Sequence, residues 1–115
     1  MSPLARAVYR ILRKQAAVKE PRISYAALAE KLRDISEVFA NIYPRSQSLY
    51  AALREVGTEC RRLKLPCLPA LVVRSDTRRP GEAYWSGSKL RFRGERIEEW
   101  RREVNEVKQA RYPKM

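Results

Sequence analysis

Histidine is absent from this 115-residue sequence, and cysteine occurs only as Cys60 and Cys67. Without histidine, a Ser–His–Asp triad, an HExxH zinc protease and imidazole acid–base catalysis are all excluded. Two cysteines are too few for a disulfide framework or for a zinc site made of protein thiolates. The sequence therefore predicts a protein that is not an enzyme and has no metal and no cofactor.

Long apolar runs are also missing. No run approaches the ~20 residues that a membrane-spanning helix needs, and the first residues lack the continuous apolar core of a secretory signal. We therefore expect a cytoplasmic protein with no membrane partner. The length fits one domain, which we expect to cover residues 1–115.

Positive charge is abundant and unevenly placed. The chain has 25 Lys and Arg against 13 Asp and Glu, a formal net charge of +12. Residues 45–94 carry a net +7, residues 1–23 carry +5 and residues 95–115 carry +1, whereas residues 24–44 carry −1. Such a balance favours a polyanionic partner such as nucleic acid.

Two helices are predicted in the first third of the chain. Ser2 followed by Pro3 is typical of a helix start, and apolar residues at helical spacing extend this helix over residues 3–19. A second helix, capped by a serine, is expected over residues 24–32. Residues 33–45 fit either one or two helical turns or a loop.

The strongest amphipathic pattern predicts a third helix over residues 46–64. Its apolar stripe consists of Leu49, Leu53, Val56, Cys60 and Leu63. Polar and basic residues occupy the opposite side, so only that side is a candidate for binding.

After this helix the pattern changes to that of a hairpin over residues 70–93. An apolar run at 70–73 precedes a stretch rich in Ser, Asp, Arg, Pro and Gly, which is typical of a turn. Residues 82–85 are expected to form the returning strand. A last helix is predicted over residues 95–112, with an apolar stripe that consists of Ile97, Trp100, Val104 and Val107. This stripe packs against the first helix or, alternatively, pairs with a second copy in a homodimer.

The order of these elements is that of a winged helix-turn-helix, an α+β fold with an N-terminal helix, a hairpin wing and an added C-terminal helix. In this arrangement the helix at 46–64 lies in the major groove of DNA and the wing contacts the flanking backbone. The candidate DNA-binding residues are Arg45, Ser46, Gln47, Ser48, Tyr50, Arg54, Arg61, Arg74, Arg78, Arg79, Lys89 and Arg91.

Several short stretches within residues 23–85 resemble the winged helix domain of alkylguanine-DNA alkyltransferases and alkyltransferase-like proteins. They are Ile23–Ala29, Ser48–Leu53, Leu65–Cys67, Leu71–Val73 and Arg79–Gly81. The resemblance implies a DNA-binding architecture. It does not extend to alkyl transfer, because the family's nucleophilic cysteine precedes His and Arg, whereas Cys67 precedes Leu68 and Pro69. The family's base-displacing arginine aligns with Gln47, so base flipping is not expected either.

These patterns together predict a non-catalytic protein that binds double-stranded DNA, as an accessory or regulator in a mobile element or bacterial defence system. Two alternatives stay open. One is a protein-interaction module, such as an anti-CRISPR-like inhibitor of a nucleic-acid-processing complex. The other is an RNA-binding subunit of a ribonucleoprotein.

Overall fold

The computed structural model of the chain describes residues 1–81, 84 and 93–114, which form an α+β fold, as predicted. Four α-helices and two short strands make up this part of the chain. They are α1 (Pro3–Gln15), β1 (Ile23–Ser24), α2 (Tyr25–Ile35), α3 (Gln47–Arg62), β2 (Val72–Val73) and α4 (Arg93–Gln109). Single 3-10 turns occur at Glu37–Phe39 and Leu68–Leu71. Side chains from all four helices contribute to the buried interior.

Helix α1 begins where the sequence predicts. The hydroxyl of Ser2 accepts a 3.1 Å hydrogen bond from the first turn, and Pro3 occupies the first helical position. The helix ends at Gln15, which is earlier than the predicted residue 19. It ends there because Ala17 and Val18 donate to carbonyls only three residues back, which tightens the chain into a turn.

Helix α2 has the predicted cap, since Ser24 accepts a 3.0 Å hydrogen bond from the N–H of Ala27. Its inward-facing residues, Leu28, Ala29 and Leu32, are fully buried. The helix continues to Ile35, three residues beyond the predicted end. The undecided stretch at 33–45 is therefore the end of a helix, one 3-10 turn and a loop.

Helix α3 spans Gln47–Arg62, close to the predicted 46–64. The stripe prediction is confirmed for Leu49, Leu53, Val56 and Cys60, which are buried, whereas Leu63 is half-buried. This face packs against α1 and the 3-10 turn at Leu68–Leu71. The buried stripe thus leaves the opposite, polar face of α3 exposed.

The end of α3 depends on a left-handed residue that is not glycine. Lys64 has a φ of 58°, and the N–H of Leu65 bonds to the carbonyl of Cys60 at 2.9 Å. This six-to-one hydrogen bond is typical of a Schellman motif, in which glycine is preferred at the left-handed position.

The strand after α3 is shorter than predicted and pairs differently. Ala70 and Leu71 belong to the 3-10 turn at Leu68–Leu71, because Pro69 fixes the backbone there and Ala70 donates to the carbonyl of Cys67. Only Val72–Val73 is extended, and it pairs in parallel with Ile23–Ser24. This small sheet joins the start of α2 to the chain that follows α3.

The predicted hairpin at 70–93 lies largely on residues 82, 83 and 85–92, which are outside the described residues. Within the described residues, the prediction of a returning strand at 82–85 is wrong at Tyr84. This residue has helical backbone, and its N–H bonds to the carbonyl of Gly81 at 3.1 Å. At its far end, Arg93 already belongs to α4. A hairpin is therefore not among the elements that the structure describes.

Helix α4 spans Arg93–Gln109, against the predicted 95–112, and its stripe of Ile97, Trp100, Val104 and Val107 is buried, as expected. The indole N–H of Trp100 donates a buried 2.7 Å hydrogen bond to the carbonyl of Ala70. The apolar stripe that could alternatively have paired with a second copy is thus covered by residues of the same chain.

The last helix ends before the predicted residue 112, and the C-terminal segment that follows it packs on α1. The carbonyl of Tyr112 accepts from Arg13 at 2.9 Å, and the hydroxyl of Tyr9 donates to the carbonyl of Pro113 at 2.6 Å. The Tyr112 hydroxyl in turn donates to the carbonyl of Pro66 at 2.6 Å. These contacts connect both ends of the chain with the segment after α3.

Each helix in the described part of the chain is too short or too polar to cross a lipid bilayer.

Replacement of Lys64 by glycine is expected to stabilise the fold by about 0.5–1 kcal/mol, because glycine adopts the left-handed conformation without a Cβ penalty. Urea denaturation measures this change. Lys64→Ala is the matched control, since it keeps the penalty and removes the same side chain. An equal gain in both variants would contradict the backbone explanation.

Trp100→Phe is expected to destabilise the protein by about 2 kcal/mol or more. The substitution leaves the buried carbonyl of Ala70 without its donor and also opens a cavity. Thermal and urea unfolding check the value, and a loss below about 0.5 kcal/mol would show that this hydrogen bond does not hold α4 in place.

Candidate nucleic-acid interface

Three arginines lie on a tight turn that directly follows β2. The N–H of Arg74 bonds to the carbonyl of Arg79, and the N–H of Arg78 bonds to the carbonyl of Arg74, each at 2.9 Å. Arg78 has a φ of 56°, which closes the turn. All three side chains are exposed. We call residues 74–79 the arginine turn.

Asp76 organises the interior of the arginine turn. Its carboxylate accepts two hydrogen bonds from the Arg74 guanidinium, at 3.1 and 2.9 Å, and one from the N–H of Thr77 at 2.8 Å. The hydrogen bond from Arg74 lowers the pKa of Asp76, so this carboxylate is ionised at neutral pH. Neither Arg78 nor Arg79 forms an ion pair with a carboxylate in the part of the chain that the structure describes.

A cleft of about 660 Å³ opens between the arginine turn, the start of α2 and the exposed face of α3. We call it the arginine cleft. Its walls consist of Tyr25, Ala26, Pro44, Arg45, Tyr50, Arg54, Arg74, Ser75, Asp76 and Gly81. Cationic side chains from before α3, on α3 and after β2 therefore share one concave surface.

Tyr25 holds the three walls of the arginine cleft together. Its buried ring contacts the ring of Tyr50 edge-on, with centroids 5.7 Å apart and planes at 79°. Its hydroxyl accepts a 3.2 Å hydrogen bond from the N–H of Gly81. A Cβ at Gly81 would lie 2.7 Å from that hydroxyl, so only glycine permits this approach. Burial also raises the pKa of Tyr25, which keeps the hydroxyl neutral.

Four of the predicted DNA-binding residues line the arginine cleft: Arg45, Tyr50, Arg54 and Arg74. Tyr50 is only half-exposed, because part of its ring rests on Tyr25. Arg45 and Arg54 are exposed, and the guanidinium group of neither has a hydrogen bond or an ion pair to another residue in the described ranges. Two uncompensated guanidinium groups therefore face the same space.

The remaining candidates are spread around the arginine cleft. Gln47 and Ser48 are exposed on the first turn of α3. Ser46 is the N-cap residue, but its hydroxyl accepts from the N–H of Tyr43 at 2.8 Å and makes no cap bond to α3. The first amides of α3 thus have no side-chain cap, which suits a helix end that contacts an anion.

Arg61 is exposed on the last turn of α3 and does not line the arginine cleft. It lies seven residues after Arg54, about 10 Å farther along the helix axis. Arg78 and Arg79 extend the basic surface along the arginine turn. Lys89 and Arg91 lie outside the described residues.

Sequence reasoning missed Tyr25, Asp76 and Gly81. The pattern assigns Tyr25 to the apolar start of α2 and gives no sign that its hydroxyl reaches a residue 56 positions away. The composition of the turn indicates that Asp76 and Gly81 lie in a loop, but not that they contact an aromatic cluster. A tyrosine directly after a helix cap was the only available signal.

Cys67 lies in an environment that disfavours a thiolate. Burial raises the pKa of its thiol, and the nearby carboxylate of Glu103 raises it further. One oxygen of that carboxylate accepts from the N–H of Cys67 at 3.3 Å, and the other accepts from the hydroxyl of Tyr84. Cys60 is fully buried, and burial likewise raises the pKa of its thiol. Neither cysteine is an activated nucleophile.

We found no match to this chain among protein-family models, curated proteins or solved structures.

Both thiols are expected to resist alkylation by iodoacetamide at pH 8 in the folded protein and to react readily in urea. Because the raised pKa values favour the protonated form, reaction should increase only as the pH rises well above the usual thiol value of 9.0. Peptide mass mapping identifies the modified cysteine. Rapid, stoichiometric labelling of Cys67 at pH 7 would contradict this assignment.

Proposed function

We propose that this protein binds double-stranded DNA without catalysis, as a winged helix-turn-helix module. In this proposal α3 enters the major groove, and the arginine turn contacts the phosphates of the flanking backbone. In this proposal the arginine turn belongs to the wing.

One observation carries the proposal. Arg54 on α3 and Arg74 after β2 are 20 residues apart in the sequence, yet they line the same concave surface together with Arg45. If the arginines of α3 only faced solvent, no second basic element would have to lie beside them. A helix in the major groove and a wing on the flanking backbone must face the same DNA, so their cations are expected to share one surface.

The exposed residues divide into two roles in this orientation. Gln47, Ser48 and Arg54 lie on the exposed face of α3, where side chains meet base edges. Arg78 and Arg79 have no ion-pair partner among the described carboxylates, so they meet phosphates at low desolvation cost. The ring of Tyr50, which packs edge-on against Tyr25, helps to hold this surface in place.

The absence of catalysis in this proposal is supported by the chemistry of Cys67. A thiol whose pKa is raised by burial and by a neighbouring carboxylate is a poor nucleophile at neutral pH. Binding to DNA is then mainly electrostatic, and its affinity decreases with salt.

Charge reversal of both Arg78 and Arg79 to glutamate is expected to weaken duplex binding at least tenfold, and by a similar factor for different sequences. It should also lower the slope of log affinity against log salt by about two, because two phosphate contacts are lost. Fluorescence anisotropy with labelled duplexes at several salt concentrations measures both quantities.

The double substitution of Arg101 and Arg102 to glutamate is the control for this pair, because both are exposed arginines on α4 and the change in net charge is the same. It tests whether net charge alone explains a loss. The same titrations with single-stranded DNA and with RNA serve as comparison. The proposal is wrong if the duplex does not bind at low salt, or if RNA binds far more tightly than the duplex.

A protein partner is a second candidate function, favoured by a separate observation. Ile35, at the end of α2, is 58% exposed, and Val38 and Tyr43, which follow it before α3, are 83% and 55% exposed. They belong to the segment 24–44, which has a net charge of −1 and so does not attract a polyanion. Retention of one stoichiometric protein after nuclease treatment, lost on Val38→Ser, would support this candidate.

A further inference from the structure

The lining of the arginine cleft combines two kinds of polar group. Arg45 and Arg54 present guanidinium groups without hydrogen-bonded or ion-paired partners in the described ranges. Asp76 also lines the cleft, and its Oδ2 accepts one hydrogen bond, from Arg74, so that this oxygen can accept another. The two arginines therefore favour an anion, whereas Asp76 favours a hydrogen-bond donor.

An aromatic surface also lines the arginine cleft. The half-exposed ring of Tyr50 forms part of the wall, and its orientation is fixed by the edge-on contact with Tyr25. Flat aromatic rings are stabilised against such a side chain by stacking. Arg54 follows Tyr50 by four residues, so both lie on the same face of α3.

The size of the arginine cleft is also informative. Its volume of about 660 Å³ falls within the range of small-molecule sites and exceeds what a single phosphate group would fill. The ligand thus combines an anionic group, a planar ring and hydrogen-bond donors.

We propose that the arginine cleft binds one nucleoside monophosphate unit. Its phosphate lies at Arg45 and Arg54, its base lies against Tyr50, and the amino or ring N–H groups of the base point to Asp76. The inference deepens the proposed function, since the walls are the same elements that contact DNA. The unit comes either from a free mononucleotide or from the 5′-phosphate end of a strand.

NMR titration of the full chain with dAMP, dGMP, dCMP and dTMP, each compared with inorganic phosphate, tests the proposal. We expect saturable shifts at the amides of Ala26, Ser75 and Gly81, with inorganic phosphate at least tenfold weaker than the best nucleotide. Equal binding of phosphate and every nucleotide would overturn the proposal, because the cleft would then be a general anion site.

Two duplexes that differ only in a 5′-phosphate or a 5′-hydroxyl on an unpaired overhang distinguish the sources. Tighter binding of the phosphorylated end identifies a strand terminus, whereas equal binding of the two ends, with saturable mononucleotide binding, identifies a free nucleotide. If neither the phosphorylated end nor any mononucleotide shows preferential binding, the proposal fails.

Arg54→Gln is expected to weaken mononucleotide binding about tenfold or more, since a charge-assisted hydrogen bond to phosphate is lost. Tyr50→Leu keeps an apolar contact with Tyr25 and should reduce binding through lost stacking. Arg78→Gln is the matched control, because Arg78 lies outside the cleft lining. It should weaken duplex binding and leave mononucleotide binding unchanged.

These readouts separate the two proposals. Duplex binding without nucleotide binding would refute the cleft ligand and leave the DNA-binding function intact. Nucleotide binding without duplex binding would refute the function and support the ligand. Loss of nucleotide binding in Arg78→Gln, at unchanged stability, would count against the assigned location.

Discussion

The candidate interface depends on the buried position of Tyr25. This residue begins α2, supports the ring of Tyr50 on α3 and accepts the N–H of Gly81 beyond the arginine turn. The parallel pairing of Ile23–Ser24 with Val72–Val73 brings these elements within reach of one another. Without this junction, the cations of α3 and those after β2 would belong to separate surfaces.

The arginines at this junction differ in how far a carboxylate neutralises their charge. Arg74 is partly neutralised by Asp76, which stabilises the arginine turn, whereas Arg45 and Arg54 have no such partner among the described residues. Arg62, by contrast, is paired with Glu59 on the side of α3 near its end. Two arginines without an ion pair, Arg45 and Arg54, therefore line the cleft. The arginine turn adds Arg78 and Arg79, which have no ion pair with a described carboxylate.

The helices could be predicted because their signals are local. Ser2, Ser24 and the stripe of α3 act within one or two helical turns, so their roles follow from spacing alone. The hairpin prediction was different in kind. The apolar run at 70–73 suits a strand by composition, but Pro69 and the parallel partner Ile23–Ser24 restrict it to two extended residues. Such long-range pairing leaves no local pattern.

The same distinction applies to the site. Arg45, Arg54 and Arg74 were predicted from charge and position, and they do line one cleft. The contact of Tyr25 with Gly81 joins residues 56 positions apart and could not be read from spacing. Both residues line the cleft, so the sequence indicated a basic surface but not a concave one.

Mapping of amide chemical-shift changes on addition of a DNA duplex tests the central claim most directly. The account predicts changes concentrated at residues 45–54 and 74–81, with the buried residues of α4 unaffected. Changes confined to the exposed apolar residues between Ile35 and Tyr43, or to the surface of α4, would contradict it.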